Sequence, residues 1–160
     1  MAQDATARAE VQSFQHYIFG TVDSIVGALE GLSADELNWR PDAPETNSLY
    51  AIATHVLGNA EENLIGTLCG QPHGRHYASE WPAAAAVPDA VQARWTELRE
   101  RVTASLAALT RADLDDLRRH PRRGAITGRE VLIVVARHAA EHWGEVQLTR
   151  GLMRARGLAR

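Results

Sequence analysis

Residues 127–148 read TGREVLIVVARHAAEHWGEVQL, and this segment shows most clearly the helical pattern on which the predicted fold depends. Thr127 and Glu130 form a capping-box pattern, in which each side chain satisfies a backbone N–H of the first helical turn. Apolar residues then recur at steps of three and four, which is the spacing of one face of an α-helix. The sequence therefore predicts a long helix that begins near residue 127 and continues past Leu148.

Three further segments have the same periodicity. Residues 14–29 place apolar side chains on one helical face, and Gly31 follows at the position expected of a helix stop. The second segment, residues 47–69, ends at a glycine and a nearby proline. The third, residues 88–109, begins with proline and aspartate, which favour a first helical turn. No useful length shows the alternation of a β-strand, so we expect no strands.

The connections suggest how the helices are arranged. Residues 33–36 and 110–113 each place Ser or Thr three positions before an acid, so each predicts a short capped helical turn. Residues 71–87 contain Pro, Gly and two histidines and are interpreted as a long crossover loop. Four helices with one long middle connection predict an all-α, antiparallel four-helix bundle with a crossover loop between helices 2 and 3. We expect one domain spanning residues 1–160.

The composition excludes several functions. All 17 basic residues are arginine, which excludes Schiff-base enzymes, a lysine general base and a phosphate-binding G-K-[ST] loop. A net charge of −3 gives no general attraction to nucleic acid or anionic membranes. The longest purely apolar run is residues 131–136, and residues 1–10 lack the apolar core of a signal peptide. We therefore expect a soluble cytoplasmic protein with no nucleic-acid or membrane partner.

Cys69 is the only cysteine. It excludes an internal disulfide and any zinc or iron–sulfur site built from several cysteines. Because it lies at the end of a predicted helix, we interpret it as a small buried hydrophobe rather than a reactive thiol.

His138 and His142 are the first candidates for a site. Their four-residue spacing puts both imidazoles on one helical face, about 40° apart. That face is otherwise apolar, since it also carries Val131, Val134, Val135, Val146, Leu152 and Met153. Polar rings in an apolar stripe need partners, and either a shared metal ion or hydrogen bonds in the core would supply them.

His55, on predicted helix 2, is the natural third ligand, and Asn59 and Glu62 share its face. The main apolar stripe of that helix lies nearly opposite and consists of Ala53, Val56, Leu57, Ala60 and Leu64. Either helix 2 buries both faces, with one against a partner subunit, or His55 is solvated. Periodicity alone leaves both interpretations open. His16 on helix 1 is a weaker ligand candidate and is better explained as solvated.

The remaining histidines lie in predicted loops. His73 and His76 could border a site but are expected at the surface. His120 lies among the arginines of residues 118–123. That cluster, or Arg137, could bind an acidic cosubstrate, although solvated surface charge is the more common outcome.

Residues 138–142 also match the inverted zinc-peptidase string H-x-x-E-H. Such enzymes need a further acidic ligand well downstream, and only residues 143–160 follow here, so we reject a peptidase. Glu141 and Glu145 remain near enough to polarise a metal-bound water or to orient an imidazole.

Taken together, these motifs resemble the DinB-like superfamily of damage-inducible four-helix proteins. The similarity extends from about residue 10 to residue 153, and the segments that carry it are residues 37–41 (LNWRP), 47–49 (NSL), His55, 130–132 (EVL), His138, His142, Gly144 and 148–150 (LTR).

This resemblance implies an antiparallel bundle, often homodimeric, with one divalent metal ion held by His55, His138 and His142; zinc and nickel are the expected metals. It also implies either a metal-dependent hydrolase or a thiol-dependent enzyme, an S-transferase or an isomerase, that uses a low-molecular-weight bacterial thiol and acts on a small electrophile. The alternatives are a non-catalytic, metal-binding, dimeric stress-response protein and a bundle whose histidines are polar core residues. Glu145 departs from the common pattern, in which many relatives carry a neutral amide.

Overall fold

The structure, a computed structural model, describes residues 2–158 and is mostly helical. Its helices are α1 (Ala2–Gly27), α2 (Ala34–Asn38), α3 (Leu49–Ala60), α4 (Asp89–Ala107), α5 (Arg111–Asp115) and α6 (Gly128–Ala155). A π-helical segment, Glu61–Leu68, continues α3 directly. The four long helical segments predicted from periodicity are confirmed as helical, with their ends within a few residues of the predicted ones, except that α1 begins well before residue 14.

The predicted helix starts follow the local capping chemistry. Ser33, Thr110 and Thr127 are the N-caps of α2, α5 and α6, and each forms a reciprocal capping box with an acid three residues later. These caps satisfy backbone N–H groups that have no partner within the helix. The two short helices and the start of α6 are therefore set by local sequence alone.

The core lies where the long helices meet. α6 packs against α1, α3 and the π-helical segment, while α4 packs against α1, α3 and the same segment. The periodic apolar positions of α1, such as Ile18, Val22 and Ile25, are fully buried. Tyr17 is 70% exposed, because it lies about 100° from Ile18 on the side of the helix away from the buried Phe19 and Val26. Across the described residues, none of the helices has the length and apolar character needed to cross a bilayer.

The expectation of no strands is wrong. Leu117–His120 (β1) and Gly124–Thr127 (β2) form an antiparallel hairpin between α5 and α6, with His120 opposite Gly124. Gly124 has φ of 74°, a conformation that glycine adopts without strain. Strands of four residues are too short to show an alternating pattern, and the arginines around the turn hide it further. The hairpin orders a segment that was expected to be a solvated loop.

The connection between the π-helical segment and α4 contains one 3₁₀ turn, Tyr77–Ser79. It lies over α3, because Gly74 N–H donates to Glu61 and Glu80 contacts His55. Of the 12 residues of α3, all but Thr54 are buried. The helix therefore buries both of its faces, as one sequence interpretation required. Its second face is covered by a segment of the same chain.

Candidate metal centre

Three imidazoles from α3 and α6 meet at one point. Nε2 of His138 lies 3.0 Å from Nε2 of His55 and 3.2 Å from Nε2 of His142. One nitrogen from each ring can be chosen so that all three lie within 4.8 Å of one another. The structure thus brings together the three histidines selected from the sequence, one from α3 and two from a single face of α6.

The three Nε2 atoms do not carry enough protons to hydrogen-bond to one another. Nδ1 of His55 donates to Glu80 Oε2 at 2.8 Å, and Nδ1 of His142 donates to Glu145 Oε2 at 2.9 Å. Since an ionised carboxylate only accepts, the proton in each of these two hydrogen bonds is on Nδ1, and a ring that carries a single proton then has a bare Nε2. Both bare nitrogens face Nε2 of His138, which can hold one proton at most. At least one of the two short contacts between Nε2 atoms therefore has no proton to form a hydrogen bond.

A metal ion fits this donor set. A tetrahedral ion bonded to imidazole nitrogens at about 2.0–2.1 Å holds neighbouring nitrogens about 3.3 Å apart. The observed nitrogen separations of 3.0 and 3.2 Å are close to that value. Three nitrogen ligands also leave a fourth position for water or a substrate atom.

The electrostatics keep the rings in the form that binds metals. Burial, followed by the charges of His142 and His55, lowers the pKa of His138 to about 3. Burial also lowers the pKa of His55, against the opposing effect of the hydrogen bond to Glu80. Both rings are therefore neutral at pH 7, so a metal ion would not have to displace protons from them.

Glu80 and Arg75 belong to the candidate site, and no sequence pattern pointed to them. Arg75 donates to both oxygens of Glu80, at 2.7 and 2.9 Å, and to Glu62 at 2.7 Å. Burial alone would raise the pKa of Glu80, but the hydrogen bonds from His55 and Arg75 hold it below its usual value. Glu80 thus stays ionised and fixes the ring of His55. The available signal was the length of the loop, because structureless connections beyond about 12–15 residues are uncommon and often functional.

Aromatic side chains of the same segment cover the cluster. Trp81 stacks on the ring of His55 with centroids 4.1 Å apart, and Tyr77 meets it edge-on at 6.0 Å. A cavity of about 250 Å³ lies beside them and reaches His138 and His142. The cluster is therefore covered on one side and accessible from a space the size of a small molecule.

The other candidates lie elsewhere, with one exception. His16, His73 and His76 are exposed, as expected. His120 was expected in a solvated loop, and this is wrong, since it is 3% exposed on β1 and borders the cavity. The hairpin accounts for the difference, because it brings His120 inward while leaving Arg119 exposed.

The two acidic residues of α6 have different partners. Glu145 accepts from His142, which is one of the two roles expected for it. Glu141 instead pairs with Arg137 at 3.3 Å, and both side chains are more than half exposed. Of these two, Glu145 is the one that orients an imidazole of the cluster.

Cys69 lies at the end of the π-helical segment, partly buried against the core. Burial raises the pKa of its thiol to about 11, with a further contribution from Asp113 that Arg118 opposes. Since the thiolate is the reactive form, this environment keeps the side chain inert at neutral pH.

We expect iodoacetamide to alkylate Cys69 about 100-fold more slowly in the folded protein than in the denatured chain at pH 8, because the thiolate fraction falls by about that factor. The rate in the folded protein should rise about tenfold per pH unit between pH 7 and pH 9. Mass spectrometry of timed samples measures both rates. Equal rates in the two states would contradict the assignment.

A helical fold in which two helices supply three converging imidazoles defines a class of candidate metalloproteins. The family profile of the DinB superfamily matches residues 21–146, which is most of the chain. The chain therefore belongs to the DinB superfamily. A search of curated proteins finds no match to it.

Proposed function

We propose that this protein is a metal-dependent enzyme that transfers a small thiol to an electrophile, with a divalent ion, zinc or nickel, held by His55, His138 and His142. The observation that carries the proposal is the convergence of three imidazole nitrogens in which two bare lone pairs face one ring nitrogen. A cation is the partner that satisfies all three at once.

The surrounding residues have defined roles in this proposal. A divalent ion held by His55, His138 and His142 would lower the pKa of a water or thiol bound to it. Glu80 and Glu145 accept hydrogen bonds from the Nδ1–H groups and so keep Nε2 of His55 and His142 available. Trp81 and Tyr77 offer an apolar wall on which the electrophile can rest.

Thiol transfer is favoured over hydrolysis by the lining of the cavity. The lining contains imidazoles, arginines, aromatic rings and Asn59, but no carboxylate among the described residues. Hydrolysis by an activated water gains from a nearby general base. A thiol needs less assistance, because its pKa lies far below that of water. A metal-dependent hydrolase is the second form of this proposal.

A non-catalytic, metal-binding, stress-response protein is the alternative function. It is favoured by the small cavity, about 250 Å³, which is below the range of about 300–1,000 Å³ usual for ligand pockets. Under either proposal, we expect the four long helical segments to form an antiparallel four-helix bundle and the chain to form a homodimer.

The metal site is tested by the metal content of protein purified without a histidine tag. We expect one zinc or nickel ion per chain in the wild type and in His16→Ala, which removes an exposed histidine. We expect none in His138→Ala, because two imidazoles alone bind weakly. Mass spectrometry with inductively coupled plasma measures the content. A wild type that neither contains nor takes up either metal would refute the site.

Turnover is tested with the metal-loaded protein, a panel of low-molecular-weight bacterial thiols and monobromobimane, from which the attacking thiolate displaces bromide. We expect thioether formation by the wild type and the background rate with His142→Ala. Fluorescence of the bimane product follows the reaction. If the metal-loaded wild type reacts no faster than His142→Ala, the result would favour the non-catalytic alternative.

A further inference from the structure

Three arginines line the cavity beside the histidine cluster. These are Arg122, Arg123 and Arg137, and the lining contributes no acid within the described part of the chain. An arginine without a carboxylate partner keeps its full charge for a ligand, and guanidinium groups suit carboxylates because they donate two parallel hydrogen bonds. The lining therefore favours an anion.

The three arginines differ in how far their charge is neutralised. Arg123 has no ion pair with any described residue. Arg137 pairs with Glu141, but at 3.3 Å and with both side chains more than half exposed, so the pair is weak. Arg122 pairs with Glu62 at 3.1 Å, and Glu62 is also bound by Arg75. Arg123 and Arg137 are thus the two cations most available to a ligand.

His120 supplies a buried donor in the same cavity. Its Nδ1 accepts the backbone N–H of Arg122 at 3.0 Å, so the proton of the neutral ring is on Nε2. That Nε2 is buried and has no hydrogen-bond partner among the described residues, and the residue is only 3% exposed. Leaving a buried N–H without an acceptor costs free energy, so such groups usually indicate a missing ligand or water.

Asn59 is a second buried polar group without a partner. It lies one turn after His55 on α3, is 5% exposed and lines the cavity, and its Oδ1 accepts no hydrogen bond from the part of the chain that the structure describes. His120 and Asn59 come from elements far apart in sequence, yet each leaves one polar atom unsatisfied beside the same space. The cavity therefore offers unsatisfied polar atoms to a ligand, in addition to the aromatic rings of Trp81 and Tyr77.

We propose that this cavity binds the carboxylate of a small organic acid, with Arg123 and Arg137 supplying charge and His120 Nε2 donating a hydrogen bond, while the other end of the same molecule reaches the histidine cluster. This proposal rests on the proposed function only in assuming that the other end of the molecule reacts at the histidine cluster. To that function it adds the class of substrate, which is an organic anion. The residues involved come from the β-hairpin and α6, and none of them is a candidate metal ligand.

The test uses two probes that differ only in the carboxylate, 3-mercaptopropionate and 3-mercaptopropionamide. Each probe is titrated into protein loaded with Co²⁺. A thiolate that binds this ion gives a charge-transfer absorption band, and the band therefore reports binding at the histidine cluster. We expect the acid to bind about tenfold more tightly than the amide, since it alone makes charge-assisted hydrogen bonds. Arg123→Gln and Arg137→Gln should each reduce this preference.

Arg119→Gln is the matched control, because Arg119 is exposed on β1, next to His120, and does not line the cavity. It removes the same charge and should leave the preference unchanged. His120→Phe should also lower the preference, and a preserved melting temperature would separate that effect from unfolding. Equal binding of acid and amide by the wild type, or equal loss in Arg119→Gln and Arg123→Gln, would overturn the proposal.

A second measurement needs no metal. Iodide and neutral acrylamide are compared as quenchers of Trp81, which lines the cavity, using the difference in emission between each protein and its Trp81→Phe counterpart. A cationic cavity concentrates iodide, so Arg123→Gln should lower iodide quenching about twofold and leave acrylamide quenching unchanged. Failure to bind Co²⁺ would refute the proposed function, while iodide quenching that is insensitive to Arg123→Gln would refute the anion site.

Discussion

Replacing Glu80 by glutamine will weaken metal binding by about 10- to 100-fold, the usual cost of losing a partner that orients a metal-binding imidazole. Oε2 of Glu80 accepts a hydrogen bond from Nδ1 of His55 at 2.8 Å, and Glu80 is only 2% exposed, so water cannot easily take its place. Glutamine keeps the size of the side chain but removes its charge, which makes His55 a weaker ligand. Competition with a chromophoric chelator measures the affinity.

The same substitution will lower the free energy of unfolding of the metal-free protein by about 3 kcal/mol, because it leaves a buried cation without its main partner. The side chain of Arg75 is 1% exposed and donates to both oxygens of Glu80. Its remaining ion pair is with Glu62. Urea unfolding followed by circular dichroism gives this quantity independently of the affinity.

Glu145→Gln is the matched control, since Glu145 contacts the other outer histidine in the same way, at 2.9 Å. Its side chain is 51% exposed, so water can replace the lost acceptor. We expect a smaller loss of metal affinity and no measurable loss of stability. Equal effects of the two substitutions would show that the burial of Glu80 contributes nothing.

The parts of the structure predicted correctly are those that depend on local sequence. The capping boxes at Ser33, Thr110 and Thr127 join residues three positions apart, and helical periodicity joins residues one turn apart. The pairing of His138 with His142 follows from the same geometry. The addition of His55 needed the family resemblance, because the periodicity of its helix pointed away from it.

The parts that were missed depend on contacts between distant residues. Glu80 meets His55 across 25 positions of chain, and neither the loop nor the helix carries a local pattern that joins them. The π-helical segment has no simple sequence signature either, although such segments often occur at functional sites. Here it presents Glu61 and Glu62, which hold the covering segment through Gly74 and Arg75.

Glu80 can lie so close to α3 because Gly58 has no side chain. We expect replacement of Gly58 to have the second large effect on metal binding and stability. A Cβ at this position would lie 2.0 Å from Oε1 of Glu80 and 3.3 Å from Nε of Arg75. The carboxylate cannot simply move aside, because His55 and Arg75 hold it in a buried position. Gly58→Ala will therefore displace Glu80 from His55 and weaken metal binding about as much as Glu80→Gln does.

Helix propensity makes this prediction unusually sharp. Alanine favours a helix interior over glycine by about 1 kcal/mol, so Gly58→Ala would stabilise α3 if space were available. We expect instead a net loss of about 1–3 kcal/mol in the free energy of unfolding, the usual cost of forcing atoms into a packed region. Gly144→Ala on α6 is the control, since its Cβ would meet nothing within 4 Å, and it should be neutral or stabilising.

The double variant Gly58→Ala, Glu80→Gln separates displacement of Glu80 from general damage to the helix. If alanine acts by moving Glu80, the metal affinity of the double variant will be close to that of Glu80→Gln alone, because the same interaction cannot be lost twice. If alanine instead distorts α3 and moves His55 itself, the two losses of affinity will add. Chelator competition on the wild type and the three variants distinguishes these outcomes, and additive losses would contradict the role assigned to Gly58.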